Sequence, residues 1–287
     1  MSSVVIVAHH GRSDAWELAR TSAAWLIEHG HTAWVPADDA AEFGLDDLAD
    51  DRPASEADLA LCLGGDGTML RAVNMLAGAA VPLLGVNLGR LGYLTEIEVD
   101  QIADSLERIE AGPAQGRWQL DERMMLDVIV TTADGVQHGP WRALNETVVE
   151  KRDSGHTVNL MVRIDGEPFT SYAADGLIVS TPTGSTAYSL SARGPIVSPK
   201  HRALLITPVA PHTLFDRSLV LDPTETVEVE VLGDRDAAVA VDGRQVCHLT
   251  AGGKVRCVPS AATARFFRFG AHHYHQVLKA KFGLTDR

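Results

Sequence analysis

Along the first third of the chain, short apolar runs alternate with stretches whose apolar residues recur at helical spacing. Residues 4–8 form an unbroken apolar run and predict a buried strand. A helix follows from about Ser13, with Leu18, Trp25 and Leu26 among its apolar positions and Gly30 as its left-handed cap. Residues 32–35, 59–63 and 82–86 predict further strands, and residues 68–76 and 100–109 further helices. Such alternation marks βαβ units on a mostly parallel sheet. Asp38, Asp39, Glu42, Asp46, Asp47, Asp50 and Asp51 run up to Pro53, where a solvated surface loop with one helical turn is expected.

After Trp118 the period shortens to that of strands. The runs at 124–131, 146–150, 158–164, 177–180, 204–207, 226–232, 237–241 and 254–259 predict a strand-rich second domain. Turn pairs separate them: Asp134-Gly135, Asp165-Gly166, Asp242-Gly243 and Gly252-Gly253. One short helix is expected after Gly184, and residues 275–282 return to helical character, as a helix that packs back on the first domain.

Composition narrows the function classes. Across 287 residues, 25 Lys and Arg against 38 Asp and Glu leave a formal charge of −13, which disfavours general binding to a nucleic-acid backbone. No run approaches the ~20 apolar residues of a membrane span, and residues 4–8 lack the basic leader of a signal peptide, so a cytoplasmic protein is expected. Cys62, Cys247 and Cys257 are odd in number and form no CxxC pair, which predicts neither a disulfide framework nor a zinc site.

Four segments carry candidate chemistry. Gly64-Gly65-Asp66-Gly67-Thr68 lies between a predicted strand and a helix that Thr68 can cap. Glycines let a phosphate approach backbone amides, and the helix start favours an anion. Asp66 would repel that phosphate, so its carboxylate makes sense facing a hydroxyl or a metal; the simpler alternative is an Asx turn. The segment is neither a Walker loop nor GxGxxG, since Leu70 stands at the third glycine. Residues 85–94 form a second glycine-rich loop with Arg90, while Arg71 lies one turn beyond Gly67 and can face a phosphate. Asn145-Glu146 can read an adenine edge or ribose hydroxyls. In residues 175–191 an apolar strand runs into a dense set of hydroxyls with Gly184 and Tyr188, suited to a polar aromatic ligand or, more simply, to capping a helix.

Taken in order, GGDGT at 64–68, GRLGYL at 89–94, Asn145-Glu146, the segment 175–195, Ala210-Pro211-His212-Thr213-Leu214 and Val241-Asp242-Gly243 resemble the NAD kinases, over nearly the whole chain. The resemblance implies transfer of a phosphoryl group from ATP or polyphosphate to the 2′-hydroxyl of the adenosine ribose of NAD, with Mg²⁺ or another divalent cation. It implies Asp66 as the residue that accepts or orients the hydroxyl proton, with Asp66 and Gly67 at ribose and phosphates and Arg71 near a phosphate. Asn145, Glu146 and Asp175 would meet NAD, as would Thr186, Ala187, Tyr188, Ser189, Leu190 and Ser191, with Tyr188 as an aromatic wall. His156 and Arg244 match positions that contribute in some relatives. The implied fold is a Rossmann-like α/β domain (1–121 plus 271–287) and a β-rich, sandwich-like NAD-binding domain (122–270), in a homodimer or homotetramer. A lipid kinase sharing GGDGT and a non-catalytic NAD sensor are the alternatives.

Some residues depart from the pattern or stay outside it. Arg193 stands where many relatives have glycine, which puts a left-handed conformation there in question, and Ala173 and Ala174 stand where some place a polar side chain. His272, His273 and His275 suggest a solvated or interface role rather than a metal site. His9-His10 follow the first strand beside the expected crevice.

Overall fold

In the computed structural model, which describes residues 1–89, 92–270 and 274–284, the apolar runs of the first third lie side by side. Arg90, Leu91, His272 and His273 fall outside the described residues. The chain divides into two compact units, Met1–Glu122 with Ala264–Arg287, and Arg123–Thr263.

The first unit runs β1 (Ser3–Ala8), α1 (Ser13–Glu28), β2 (Thr32–Pro36), α2 (Ala37–Phe43), β3 (Ala49–Asp50), β4 (Leu59–Gly64), α3 (Asp66–Met75), β5 (Pro82–Asn87), β6 (Ile97–Glu98), α4 (Ile102–Glu110) and α5 (Gly112–Gly116). Its strands are parallel in the order β5-β4-β1-β2-β3. From β1 the chain winds first to β2 and then back across to β4, so the sheet reverses direction between β1 and β4. Ligands of doubly wound sheets gather at the carboxyl ends of strands at such a reversal. Strands β1 and β4 are buried on both faces, which is why they read as unbroken apolar runs. Helix α1 covers the sheet with Ala15, Ala19, Ala23 and Leu26, close to the helical repeat.

The acidic stretch departs from the expected loop. Ala40 and Phe43 are buried at i, i+3 spacing and Gly44 closes α2 with φ 64°, so Asp38, Asp39 and Glu42 lie on a true helix, with Asp39 itself buried.

The second unit holds most of β7 (Trp118–Thr131), then β8 (Gln137–Ala143), β9 (Glu146–Lys151), β10 (Val158–Ile164), β11 (Glu167–Ala174), β12 (Gly176–Ser180), α6 (Tyr188–Ser191), β13 (Leu204–Val209), β14 (Leu219–Leu221), β15 (Val227–Leu232), β16 (Ala237–Val241) and β17 (Arg244–Leu249). Then comes β18 (Lys254–Phe269), and α7 (Tyr274–Phe282) ends the chain within the first unit's residues. One antiparallel layer has the order β14-β13-β12-β9-β16-β17; the other joins β11, β10, β15 and β18, with the β7–β8 hairpin on β18. Alternate residues of both layers meet in one core, among them Val149, Leu177, Val179, Val162, Val229 and Val255. Asp165-Gly166 and Asp242-Gly243 have positive φ at both residues, the geometry of tight hairpin turns.

Strand β18 extends ten residues beyond the expected end at 259. It pairs with β15 through Lys254–Cys257 and with β5 at Arg265 and Phe266, changing partner around Pro259, which has no N–H to donate. Among the described residues no helix is long and apolar enough to cross a membrane.

Candidate active site

The sheet reversal carries a cavity of about 400 Å³ lined by His9, His10 and Arg12 after β1, Gly64, Gly65, Gly67 and Thr68 after β4, Arg71 on α3, and Asn87 to Gly89 after β5. The roles of its glycines differ. A Cβ on Gly64 would stand 2.2 Å from Thr68 Oγ1, so that glycine serves packing. At Gly65 and Gly67 a Cβ would meet nothing within 4 Å, and neither is in the positive-φ region. The protein's own packing and backbone therefore do not require glycine there, whereas a ligand approaching the amides would. Those amides open α3, where N–H groups lack acceptors within the helix. Thr68 does not cap α3 as expected: the cap is Gly65, and Thr68 lies buried in the first turn.

Among the described residues, the basic side chains Arg71, His10 and Arg12 at the cavity are already engaged. Arg71 gives Nη1 to Asp39 at 2.7 and 2.8 Å and Nη2 to the Ala8 carbonyl at 2.7 Å. His10 lies between Asp39, 3.1 Å from Nε2, and Glu42, 2.9 Å from Nδ1. Arg12 reaches Asp14 and the Leu88 carbonyl.

Asp66 does not line that cavity. Its Oδ2 accepts the Tyr93 N–H at 3.0 Å and its Oδ1 the Leu94 N–H at 2.9 Å, so the loop after β5 fixes the carboxylate's direction. Gly92 makes this possible, because a Cβ there would stand 2.3 Å from Asp66 Oδ1. The loop is anchored in turn by Arg268, fully buried, which donates to the Leu94 carbonyl at 3.1 Å and pairs with Glu96 at 3.0 Å and Asp121 at 3.3 Å. Burial pushes the Glu96 carboxyl above the usual range, with Arg268 acting against it.

In the second unit, Asn145 is half-buried and Glu146 buried at the start of β9. Glu146 Oε2 has no hydrogen-bond partner among the described residues. Burial first, and then the neighbouring Asp242 carboxylate, push the Glu146 carboxyl up to about 8, while the Tyr188 amide acts in the other direction. Beside it, many hydroxyls of residues 175–191 hold the chain in place. Ser185 Oγ bonds the Pro182 carbonyl at 2.7 Å, and the buried Ser189 Oγ lies 3.0 Å from Thr207 Oγ1. Thr186, Ala187 and Leu190 are half-buried, whereas Tyr188 and Ser191 are exposed. Burial and the acids Glu150 and Asp175 raise the Tyr188 phenol. Asp175 receives Lys151 Nζ at 2.7 Å. His156 is exposed between β9 and β10, and Arg244 is exposed at the start of β17. Arg193 adopts φ 66°, so the left-handed turn is kept by a non-glycine residue at a cost of about 1–2 kcal/mol.

Arg12 and Arg268 lie outside every motif named above, whereas Asn87, Thr181 and Asp242 belong to motifs there but carried no role of their own. Arg12 had one signal, its place directly after His9-His10-Gly11 at the end of β1. The other roles depend on partners distant in the chain.

Residues 4–114 match the family description "ATP-NAD kinase N-terminal domain" and residues 144–269 match "ATP-NAD kinase C-terminal domain". The NAD kinase of Heliobacterium modesticaldum is 38% identical over 283 residues, covering 98% of this chain and 98% of that protein. The chain belongs to the ATP-NAD kinase family. The NAD kinase of Mycobacterium tuberculosis is also 38% identical, over 284 residues and 92% of this chain. Yeast NADH kinase, solved with NADH, superposes with a TM-score of 0.90 at 25% identity, covering 100% of this chain and 89% of that one. An Archaeoglobus fulgidus NAD kinase, solved with ATP, shares the fold with a TM-score of 0.70 at 24% identity, over 98% of this chain and 96% of that one. As ATP-NAD kinase matches cover segments in both halves of the chain, the lipid-kinase and sensor readings are not favoured.

Proposed function

We propose that this chain transfers the terminal phosphoryl group of ATP to the 2′-hydroxyl of the adenosine ribose of NAD, forming NADP. The observation that carries the reading is the pair Gly65 and Gly67, open to the cavity at the sheet reversal, with an aspartate held between them. Donor phosphates would lie against these glycines and the first-turn amides of α3. Arg71, in the family position near a phosphate, would act as part of its pair with Asp39. Asp66 would take the hydroxyl proton as the bond from the 2′-oxygen to phosphorus forms and the bond from phosphorus to the bridging oxygen of the leaving diphosphate breaks. The second unit would recognise NAD through Asn145, Glu146, Asp175 and the segment Thr186 to Ser191, with His156 and Arg244 at its margin.

We also propose a divalent cation, Mg²⁺ being the expected one. Among the described residues no three His, Cys, Asp or Glu side chains converge on a metal site, so the ion would be held chiefly by the donor's phosphates, whose charge it would offset. Free Cys62, Cys247 and Cys257 fit a reducing cytoplasm. The edge strands β11, β14 and β17 support assembly as a homodimer or homotetramer; light scattering that gives a monomer at working concentration removes that part.

Purified protein with NAD, ATP and Mg²⁺ is expected to form NADP, read with an NADP-specific dehydrogenase. A parallel reaction with polyphosphate identifies the donor. No product with either donor, from folded protein, would overturn the reading.

A further inference from the structure

We infer that Asp242 is a positioning residue for NAD: from the turn between β16 and β17 its carboxylate locks the backbone of Leu144 to Glu146 and so aims the Asn145 and Glu146 side chains. The inference rests on the proposed function and adds a residue to which that reading gives no role. Asp242 Oδ2 accepts the Leu144 N–H at 2.7 Å, and Oδ1 accepts the N–H groups of Asn145 at 2.8 Å and Glu146 at 3.1 Å. The Asp242 amide returns a bond to the Glu146 carbonyl at 2.9 Å. On the other side, Thr181 donates its N–H to the Asn145 carbonyl at 2.9 Å and its hydroxyl to the Leu144 carbonyl at 2.6 Å. Gly184 closes the clamp, because a Cβ there would stand 2.1 Å from the Asn145 carbonyl oxygen.

A clamp of this kind exceeds what joining β8 to β9 requires. Three successive amides aimed at one carboxylate remove the turn's freedom to reorient, and the two residues so fixed are the ones that would read the dinucleotide. The same carboxylate acts on Glu146 through space. The groups facing Glu146 are the Asp242 carboxylate, the Tyr188 amide from α6 and Ser180, its cross-strand neighbour on β12; of these only Asp242 is charged. Two carboxylates so close do not ionise together readily. Burial raises the Asp242 carboxyl as well, but three amide N–H groups from Leu144, Asn145 and Glu146 favour its charged form, whereas Glu146 Oε2 has no hydrogen-bond partner among the described residues. The shared proton therefore belongs to Glu146, whose carboxyl is pushed up to about 8. Protonated Glu146 can donate a hydrogen bond to a ligand oxygen or nitrogen, which an ionised one cannot.

NAD affinity, measured by calorimetry from about pH 6 to about pH 9, tests this. In the parent protein, affinity should fall as pH rises through the Glu146 transition. Asp242→Asn should weaken NAD binding about tenfold at neutral pH and move the transition down by about one pH unit, because the repelling charge is gone. Glu146→Gln should flatten the profile, and adding Asp242→Asn to it should cause no further shift. Thr181→Val loosens the clamp without changing charge, so it should weaken binding and leave the transition in place. If Asp242→Asn fails to fold, the Glu146→Gln and Thr181→Val profiles decide alone. A parent protein that does not bind NAD sinks the functional reading itself. A parent that binds NAD, with the same transition in Glu146→Gln or Asp242→Asn, overturns the inference and leaves the function standing.

Discussion

Asp66→Asn is expected to lower kcat by about 10²–10⁴-fold while the KM for NAD changes only a few-fold, the signature of a group acting mainly in the transition state. The size follows from what asparagine keeps and loses. Its carbonyl oxygen can still accept one of the two amides, from Tyr93 or Leu94, that now meet the carboxylate. Its amide nitrogen would face the other donor and has no proton acceptor to offer a ribose hydroxyl. The mismatch costs about 1–3 kcal/mol locally, so a small drop in melting temperature should accompany the kinetic loss. Steady-state kinetics at saturating ATP, with a thermal melt on the same sample, separate the two effects. A folded variant that retains kcat within about tenfold would remove Asp66 from proton transfer.

Arg268→Met is expected to cost about 3–5 kcal/mol of stability, the range for removing one partner from a buried ion pair. The side chain is fully buried, and its loss leaves Glu96 and Asp121 without the Arg268 cation. The pH dependence has a definite sign. Burial already holds Glu96 above the usual glutamate range, and removing Arg268 raises it further. A carboxyl with a higher pKa in the folded than in the unfolded state takes up a proton on folding. Its stabilisation is complete below the unfolded value and is lost as pH rises through the folded one. The variant's deficit should therefore shrink on acidification from neutral pH, and Glu96→Gln in the same chain should recover part of it. Urea titrations of the parent and both variants at two pH values read this directly. A deficit under about 1 kcal/mol, or one insensitive to pH, would mean Arg268 is not the main counter-charge. Because Arg268 also holds the Leu94 carbonyl, turnover should fall in step with the kinetic loss from a misplaced Asp66.

The parts of the fold legible in the sequence were those where one physical demand dominates. Strands β1, β4 and β5 must be apolar on both faces, and the hairpins at Asp165-Gly166 and Asp242-Gly243 need residues that tolerate positive φ. Helix α2 was hidden because three of its seven residues are acids, Asp38, Asp39 and Glu42, against two buried apolar residues, Ala40 and Phe43, that tie it down. Strands β8, β11 and β17 carry mostly exposed or half-buried side chains and owe their existence to partners, so their own residues say little. For the candidate site, glycine loops and the hydroxyl-rich segment stand out locally. The direction of the Asp66 carboxylate, toward the Tyr93 and Leu94 amides, does not. It depends on a loop that returns 27 residues later, just as the Arg71–Asp39 pair spans 32 and the Asp242 clamp up to 98. Charge pairing over such separations leaves no periodic trace.

The path of β18 orders events at the ribosome. Arg123–Thr263 is a single stretch of chain and has all its strands once that stretch has emerged. The earlier-made residues of the first unit lack Ala264–Phe269 until all of Arg123–Thr263 has been made, and with it the strand that lies against Pro82 and Leu83, the core ring of Phe267 and the cation behind Leu94. By connectivity alone, the unit that is begun earlier of the two is the one completed later.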